Sequence, residues 1–115
     1  MTRVLTDKGL AKLGDAIVNF LVSASLSLAS GKMQGIKVSG KLLDRSYRLS
    51  KLSGIRLPYD TEPGEAVEAF LAFSWLRGCL EMEKGVEKLY NSLKNHKSVE
   101  EALALLINEL LSVCA

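Results

Sequence analysis

Near the N-terminus, one long apolar stretch carries an acid in its middle, and it reads Leu10-Ala11-Lys12-Leu13-Gly14-Asp15-Ala16. Apolar residues recur around it at intervals of three and four, which predicts a helix that is capped by Thr6 and stops at Gly31. A carboxylate on an apolar helix is costly unless it has a polar partner or binds a metal. Asp15 is therefore the first candidate functional residue.

A second acidic motif opens another apolar helical stretch, and it reads Glu65-Ala66-Val67-Glu68-Ala69. Glu65 and Glu68 are three apart, so they share a face near the N-terminus of that helix. Together with Asp15 they could supply the hard oxygen ligands of a Mg²⁺ site for phosphodiester hydrolysis. In the alternative interpretation, Glu65 and Glu68 complement the helix dipole and Asp15 is solvated on a wide helix face.

The rest of the chain also has helical spacing. A second helix is predicted through Leu42 to Leu52, closed by Gly54, and a third is capped by Thr61 or Glu62 and ends at Gly78 with Trp75 on its apolar face. A fourth runs near Met82 to Leu93, and a fifth starts at the capping box of Ser98 and Glu101. The only strand-like fragment is Ile36–Val38. Residues 1–115 are therefore predicted to form one all-α domain, a compact helical bundle.

Composition limits the kinds of partner, site and cellular location that we expect for the protein. The net charge of +2 names no partner, and the 48% hydrophobic content allows a core. Two scattered cysteines, Cys79 and Cys114, predict reduced buried thiols rather than a disulfide framework or a zinc site. The apolar stretch Ala16–Ala29 contains Asn19 and several serines, so it is predicted to fall short of a membrane span. With no apolar segment before Lys12, we expect a soluble cytoplasmic protein with no membrane partner.

The two acidic motifs resemble those of the ribonuclease III nuclease domain. The first motif of that family reads Leu-Glu-Phe-Leu-Gly-Asp-Ala, or a close variant, against Leu10–Ala16 here. The second reads roughly Asp-x-Val-Glu-Ala-Leu-Ile-Gly-Ala, against Glu65–Phe73, and Trp75-Leu76-Arg77-Gly78 follows where the family often has an aromatic, a leucine, an acid and a glycine. The resemblance spans Gly9–Gly78. It implies the fold of the compact Mini-III type, which has no separate double-stranded-RNA-binding domain.

The resemblance implies that Asp15, Glu65 and Glu68 are the catalytic residues and the ligands of Mg²⁺ or Mn²⁺. It also shows three departures: the family's catalytic glutamate is Ala11 here, its partner-contacting aromatic is Lys12, and the first acid of the second motif is Glu65 rather than aspartate. A site with one carboxylate fewer is expected to hold metal more weakly. Asp7, one turn before Ala11, is a candidate substitute. A homodimer is expected to form through other apolar positions.

A run of cations separates the two acidic motifs. Between Lys32 and Arg56 there are seven lysines and arginines against one acid, Asp44. Four of them can lie on or beside one face of the second helix: Lys41, Arg45, Arg48 and Lys51. We interpret this face as a contact for the phosphates of an RNA duplex, which proteins bind mainly through its shape, backbone and 2′-hydroxyls. The alternative is a solvated helix face balanced by acids elsewhere.

Three functions follow from these observations. The leading prediction is a homodimeric, cytoplasmic ribonuclease III-like enzyme that cleaves double-stranded or structured RNA with Mg²⁺ or Mn²⁺. The alternative is a member of the same fold that binds RNA, or an RNA–protein assembly, without cleaving it. A third is a helical homodimer with no RNA role, in which the acids only serve helix starts and surface solubility.

Overall fold

The computed structural model describes residues 1–114, and this part of the chain is helical, with no β-strand. Its elements are α1 (Thr2–Leu5), α2 (Lys8–Ser30), α3 (Gly40–Leu49), a 3₁₀ turn (Lys51–Gly54), α4 (Pro63–Leu76), α5 (Met82–Lys94) and α6 (Val99–Cys114). The predicted all-α class is confirmed. The Ile36–Val38 fragment belongs to an irregular segment between α2 and α3.

The bundle is built around α2 and α4. Helix α2 packs against α4 on one side and α5 on the other, while α3 and α6 cover the remaining faces of α4. The centre of the core is fully buried Val18, Leu21, Val67, Phe70 and Leu103. Each such side chain contributes about 1.5–3 kcal/mol through burial, so tertiary packing holds these helices together.

Helix ends follow most of the predicted signals. Gly31 ends α2 in the left-handed region at φ 76°, as predicted, but the N-cap of α2 is Asp7 rather than Thr6. The Asp7 Oδ1 atom accepts a hydrogen bond of 2.9 Å from the Leu10 amide. Of the two predicted caps of α4, Glu62 is the one used. The capping box of Ser98 and Glu101 is present.

Two details of the predicted helices are wrong. The second helix stops at Leu49, because Ser50 turns the backbone into an extended conformation and caps a 3₁₀ turn that buries Leu52. Trp75 was expected on the core face of α4, yet 42% of it is exposed. The buried stripe of α4 ends at Ser74, and Trp75 lies beside it at the edge of the bundle.

The prediction of two reduced thiols is also wrong. Cys79 and Cys114 form a disulfide, with Cα atoms 5.8 Å apart. The bond ties the last residue of α6 to the turn between α4 and α5. A separation of 35 residues matches no cysteine motif, so the pairing arises from tertiary packing that the spacing does not reveal.

Helix α2 needs a further correction. By length and composition alone its 23 residues are long and apolar enough to cross a membrane, contrary to the sequence-based expectation. In the structure, 39% of its most apolar window is buried inside the bundle, where α2 packs on α4 and α5. One such helix is weak evidence for a membrane span, because the core helix of a soluble protein and a signal sequence near the N-terminus pass the same test.

Candidate active site

The candidate site lies where α2 crosses α4, and a glycine allows the two backbones to meet there. A Cβ atom added to Gly14 would lie 1.8 Å from the carbonyl oxygen of Glu68 and 2.3 Å from its carbonyl carbon. Only glycine fits so close to another backbone. Because Asp15 follows Gly14, the same crossing brings the side chains of Asp15 and Glu68 together. The Gly-Asp pair thus has a physical reason in this fold.

Asp15 and Glu68 form a carboxyl pair, since both line the same two pockets beside the helix crossing and each acts on the pKa of the other. The pKa of Glu68 is raised to about 7, first by burial and then by its hydrogen bond to Asp15 and the charge there. The pKa of Asp15 is lowered, chiefly by a hydrogen bond from Lys37 and then by one from Glu68. Near neutral pH Glu68 is therefore protonated part of the time, whereas Asp15 stays ionised.

Two side chains hold Asp15 in place. The Lys37 Nζ atom lies 2.9 Å from Asp15 Oδ1 and 3.1 Å from Oδ2, so one ammonium faces both oxygens. The Asn19 side-chain amide, one helical turn on, donates a long hydrogen bond of 3.5 Å to Asp15 Oδ1. The Asn19 Oδ1 atom accepts a hydrogen bond of 2.8 Å from the Val38 amide, which fixes the segment that carries Lys37.

Glu65 has other partners. Its Oε1 atom accepts a hydrogen bond from the Glu62 amide at 3.4 Å, which completes the capping box of α4, and the Lys8 Nζ atom lies 3.3 Å from the same oxygen. Glu65 still lines one open pocket of about 300 Å³ with Asp15 and Glu68. The structure therefore brings all three predicted acids to one pocket, but it pairs only Asp15 with Glu68.

The residues fit a divalent metal ion only in part. Within residues 1–114, no three His, Cys, Asp or Glu side chains are grouped so that they could hold a metal ion together. Ala11 lines the pocket but offers no oxygen, and the carboxylate of Asp7 is used to cap α2. Mg²⁺, however, is commonly held by one or two carboxylates, with water and substrate phosphates completing its shell. The Asp15–Glu68 pair suits that mode, because a cation would stabilise the charged form of Glu68 against the burial and the neighbouring Asp15 that raise its pKa.

The predicted basic face is present, and we call Lys41, Arg45, Arg48 and Lys51 the α3 basic surface. All four residues are exposed. The Arg45 guanidinium lies 3.1 Å from Glu100, so part of its charge is balanced. A cleft of about 390 Å³ runs from the Asp15–Glu68 pair past Lys37 to Gly40 at the start of α3. The cleft therefore reaches the N-terminus of α3, although none of the four residues of the α3 basic surface lines it.

Sequence reasoning missed three residues of the site: Lys8, Asn19 and Lys37. Asn19 lies one helical turn after Asp15, so its i+4 spacing was a visible signal. Lys37 counted only as a member of the basic segment, because a contact across 22 residues depends on how that segment folds back onto α2. Lys8 reaches Glu65 across 57 residues for the same kind of reason.

Comparison with known proteins extends the likeness beyond the two motifs. A family model described as Ribonuclease III matches residues 8–114, from the first residue of α2 to the last residue of α6. The match includes α5 and α6, which follow the second motif, as well as the Asp15–Glu68 pair. A comparison with curated proteins gives no match.

Proposed function

The chain belongs to the ribonuclease III family, and we propose that it hydrolyses phosphodiester bonds in double-stranded or structured RNA with Mg²⁺ or Mn²⁺. The observation that carries the proposal is that the close crossing of α2 and α4 brings Asp15 and Glu68 into the lining of one pocket. Both residues match the family's motifs directly, and the family is generally dependent on divalent metal ions.

The residues of the site have separable tasks in this proposal. Asp15 and Glu68 would hold the metal ion, which when bound supplies a hydroxide and stabilises charge on the scissile phosphate. Asn19 orients Asp15 through its hydrogen bond. Glu65 lines the same pocket and can contact the site through water. Glu68, whose pKa is raised to about 7 in the metal-free protein, would give up its proton when it holds the ion.

The α3 basic surface supports RNA as the substrate. Lys41, Arg48 and Lys51 are exposed and take part in no ion pair with the acids of residues 1–114, so their charges are available to phosphates. Cations of this kind bind the backbone of duplex RNA with little dependence on its sequence. The cleft from Asp15 ends at Gly40, next to Lys41, so an RNA backbone bound at this end of the α3 basic surface would approach the acidic pair.

We also propose that the protein acts as a cytoplasmic homodimer. One chain supplies one Asp15–Glu68 pair, whereas a duplex has two strands, so a homodimer would offer one site to each strand. Exposed apolar side chains on α2 support an interface, since Phe20 is 54% exposed and Leu28 is 58% exposed. Lys12, at the position of the family's partner-contacting aromatic, is exposed as well.

A second candidate function is RNA binding without cleavage. Two observations favour it: Ala11 stands where the family has its catalytic glutamate, and the Lys37 ammonium occupies both oxygens of Asp15. Both would weaken the hold on a metal ion and leave the α3 basic surface unchanged.

Cleavage of labelled double-stranded RNA separates the candidates. The wild type is compared with Asp15→Asn and Glu68→Gln in Mg²⁺, in Mn²⁺ and with a chelator, and Glu87→Gln on exposed α5 is the matched control. We expect metal-dependent cleavage by the wild type and the control, and loss of cleavage in both site variants. Salt-sensitive binding by every protein with no cleavage would establish the second candidate. Absence of binding even at low salt would contradict both and favour a helical homodimer without an RNA role.

A further inference from the structure

The segment that carries Lys37 is fixed onto α2 on both sides of the lysine. Before it, Ser23 Oγ accepts a hydrogen bond of 2.8 Å from the Ile36 amide and donates one of 3.2 Å to the Ile36 carbonyl. After it, Asn19 accepts the 2.8 Å hydrogen bond from the Val38 amide, and Val38 itself is buried. The backbone of Lys37 is thus held in one place, unlike that of an ordinary surface lysine.

From that fixed backbone the side chain reaches the acidic pair. Its ammonium contacts both oxygens of Asp15, at 2.9 and 3.1 Å, and its charge also acts on Glu68. A divalent ion at this pair would likewise place positive charge against Asp15 and near Glu68. The ammonium therefore takes the place at Asp15 that the proposed function assigns to Mg²⁺.

We propose that Lys37 is a tethered cation that competes with divalent metal ions for Asp15 and so sets the metal concentration at which the site can be occupied. This inference rests on the proposed function, because it concerns the same pair of carboxyls. Lys37 must leave Asp15 before that carboxylate can accept another cation. Its ion pair is largely exposed to solvent, so the barrier to leaving is low and the competition is an equilibrium.

The test measures metal binding directly, by the loss of the free Mn²⁺ signal in electron paramagnetic resonance as protein is added. Lys37→Met removes the charge and keeps an apolar stem of similar length, whereas Lys37→Arg keeps the charge. Lys32→Met is the matched control, since Lys32 is exposed in the same segment. Thermal unfolding of each variant verifies that the fold is retained.

We expect Lys37→Met to bind Mn²⁺ about 1.4- to fivefold more tightly than the wild type, the range given by the free energy of an exposed ion pair. Lys37→Arg and Lys32→Met should stay close to the wild type. Equal Mn²⁺ affinity in Lys37→Met and the wild type, or no Mn²⁺ binding by any variant, would overturn the inference. The outcome is independent of cleavage. Tighter Mn²⁺ binding by Lys37→Met without RNA cleavage would support the role of Lys37 while the proposed hydrolysis failed. RNA cleavage with equal Mn²⁺ affinity in Lys37→Met and the wild type would support the proposed hydrolysis and overturn the role of Lys37.

Discussion

Replacing Gly14 by alanine should damage the fold and the site together. The added Cβ would lie 1.8 Å from the Glu68 carbonyl oxygen, 2.3 Å from its carbon and 2.8 Å from its Cα. All three are backbone atoms and cannot rotate aside, so α2 and α4 must move apart by more than about 1 Å to restore van der Waals contact. Asp15 would move with α2 and lose its contact with Glu68.

The expected cost follows from two opposing effects. Overpacking a core typically costs about 1–3 kcal/mol, and a rigid backbone neighbour places this site at the upper end. Alanine regains about 1 kcal/mol through its higher helix propensity. The free energy of unfolding should therefore fall by about 2 kcal/mol, which lowers the melting temperature by about 8 °C or more in a domain of this size.

Denaturant unfolding and a pH titration of the Glu68 carboxyl carbon by NMR would test both effects. The pKa of Glu68 should drop from about 7 towards its ordinary 4.5 as the pair separates. Gly40→Ala is the matched control, because nothing lies within 4 Å of its added Cβ at the start of α3, and its stability should be unchanged or slightly higher. A Gly14→Ala protein as stable as the wild type, with Glu68 still titrating near 7, would refute the account of the crossing.

Three further predictions follow from the structure. The pKa of Glu68 is 4.5 in the unfolded chain and about 7 in the folded one, so its contribution to stability is complete below pH 4.5 and is lost as the pH rises through about 7. Glu68→Gln should remove this dependence of the free energy of unfolding on pH, and an unchanged dependence would contradict the raised pKa. Replacing both cysteines of the disulfide by serine should lower the free energy of unfolding by about 3–4 kcal/mol, the chain-entropy value for a 35-residue loop. Unfolding curves that match those of the oxidised wild type would show that the bond does not stabilise the fold. The double change Lys41→Glu and Arg48→Glu should weaken binding to duplex RNA and reduce the slope of its salt dependence by the equivalent of about two phosphate contacts. Lys94→Glu on α5 should change neither quantity, and equal effects of the double change and of Lys94→Glu would indicate a general charge effect.

Local signals in the sequence predict most of the helices, because the relevant interactions lie within a few residues. The cap of α6 is an example, since Ser98 and Glu101 bond each other's backbone amides three residues apart. Gly31 marks the end of α2 for an equally local reason, its left-handed φ. The end of α3 was missed because Leu52 is buried like a helical core residue although it lies in a separate 3₁₀ turn.

Contacts between distant segments were beyond the reach of the sequence. The exception is the meeting of Asp15 with Glu68, which the resemblance of the two motifs predicts, although the close approach at Gly14 is visible only in the structure. The partners of these acids depend on how loops fold back, as the contact of Lys37 with Asp15 across 22 residues shows. The disulfide and the exposure of Trp75 also depend on tertiary packing, because each is determined by where the end of a helix lies in the bundle.

The most direct test of the central claim is NMR of the side-chain carboxyl carbons during a Mg²⁺ titration with a non-cleavable RNA duplex present. The account predicts that the resonances of Asp15 and Glu68 shift together and before those of the other acids, and that the titration of Glu68 near pH 7 moves to lower pH as Mg²⁺ binds. Resonances of this pair that stay fixed while the RNA binds and is saturated with Mg²⁺ would contradict the claim that Asp15 and Glu68 are the metal-binding pair of the protein.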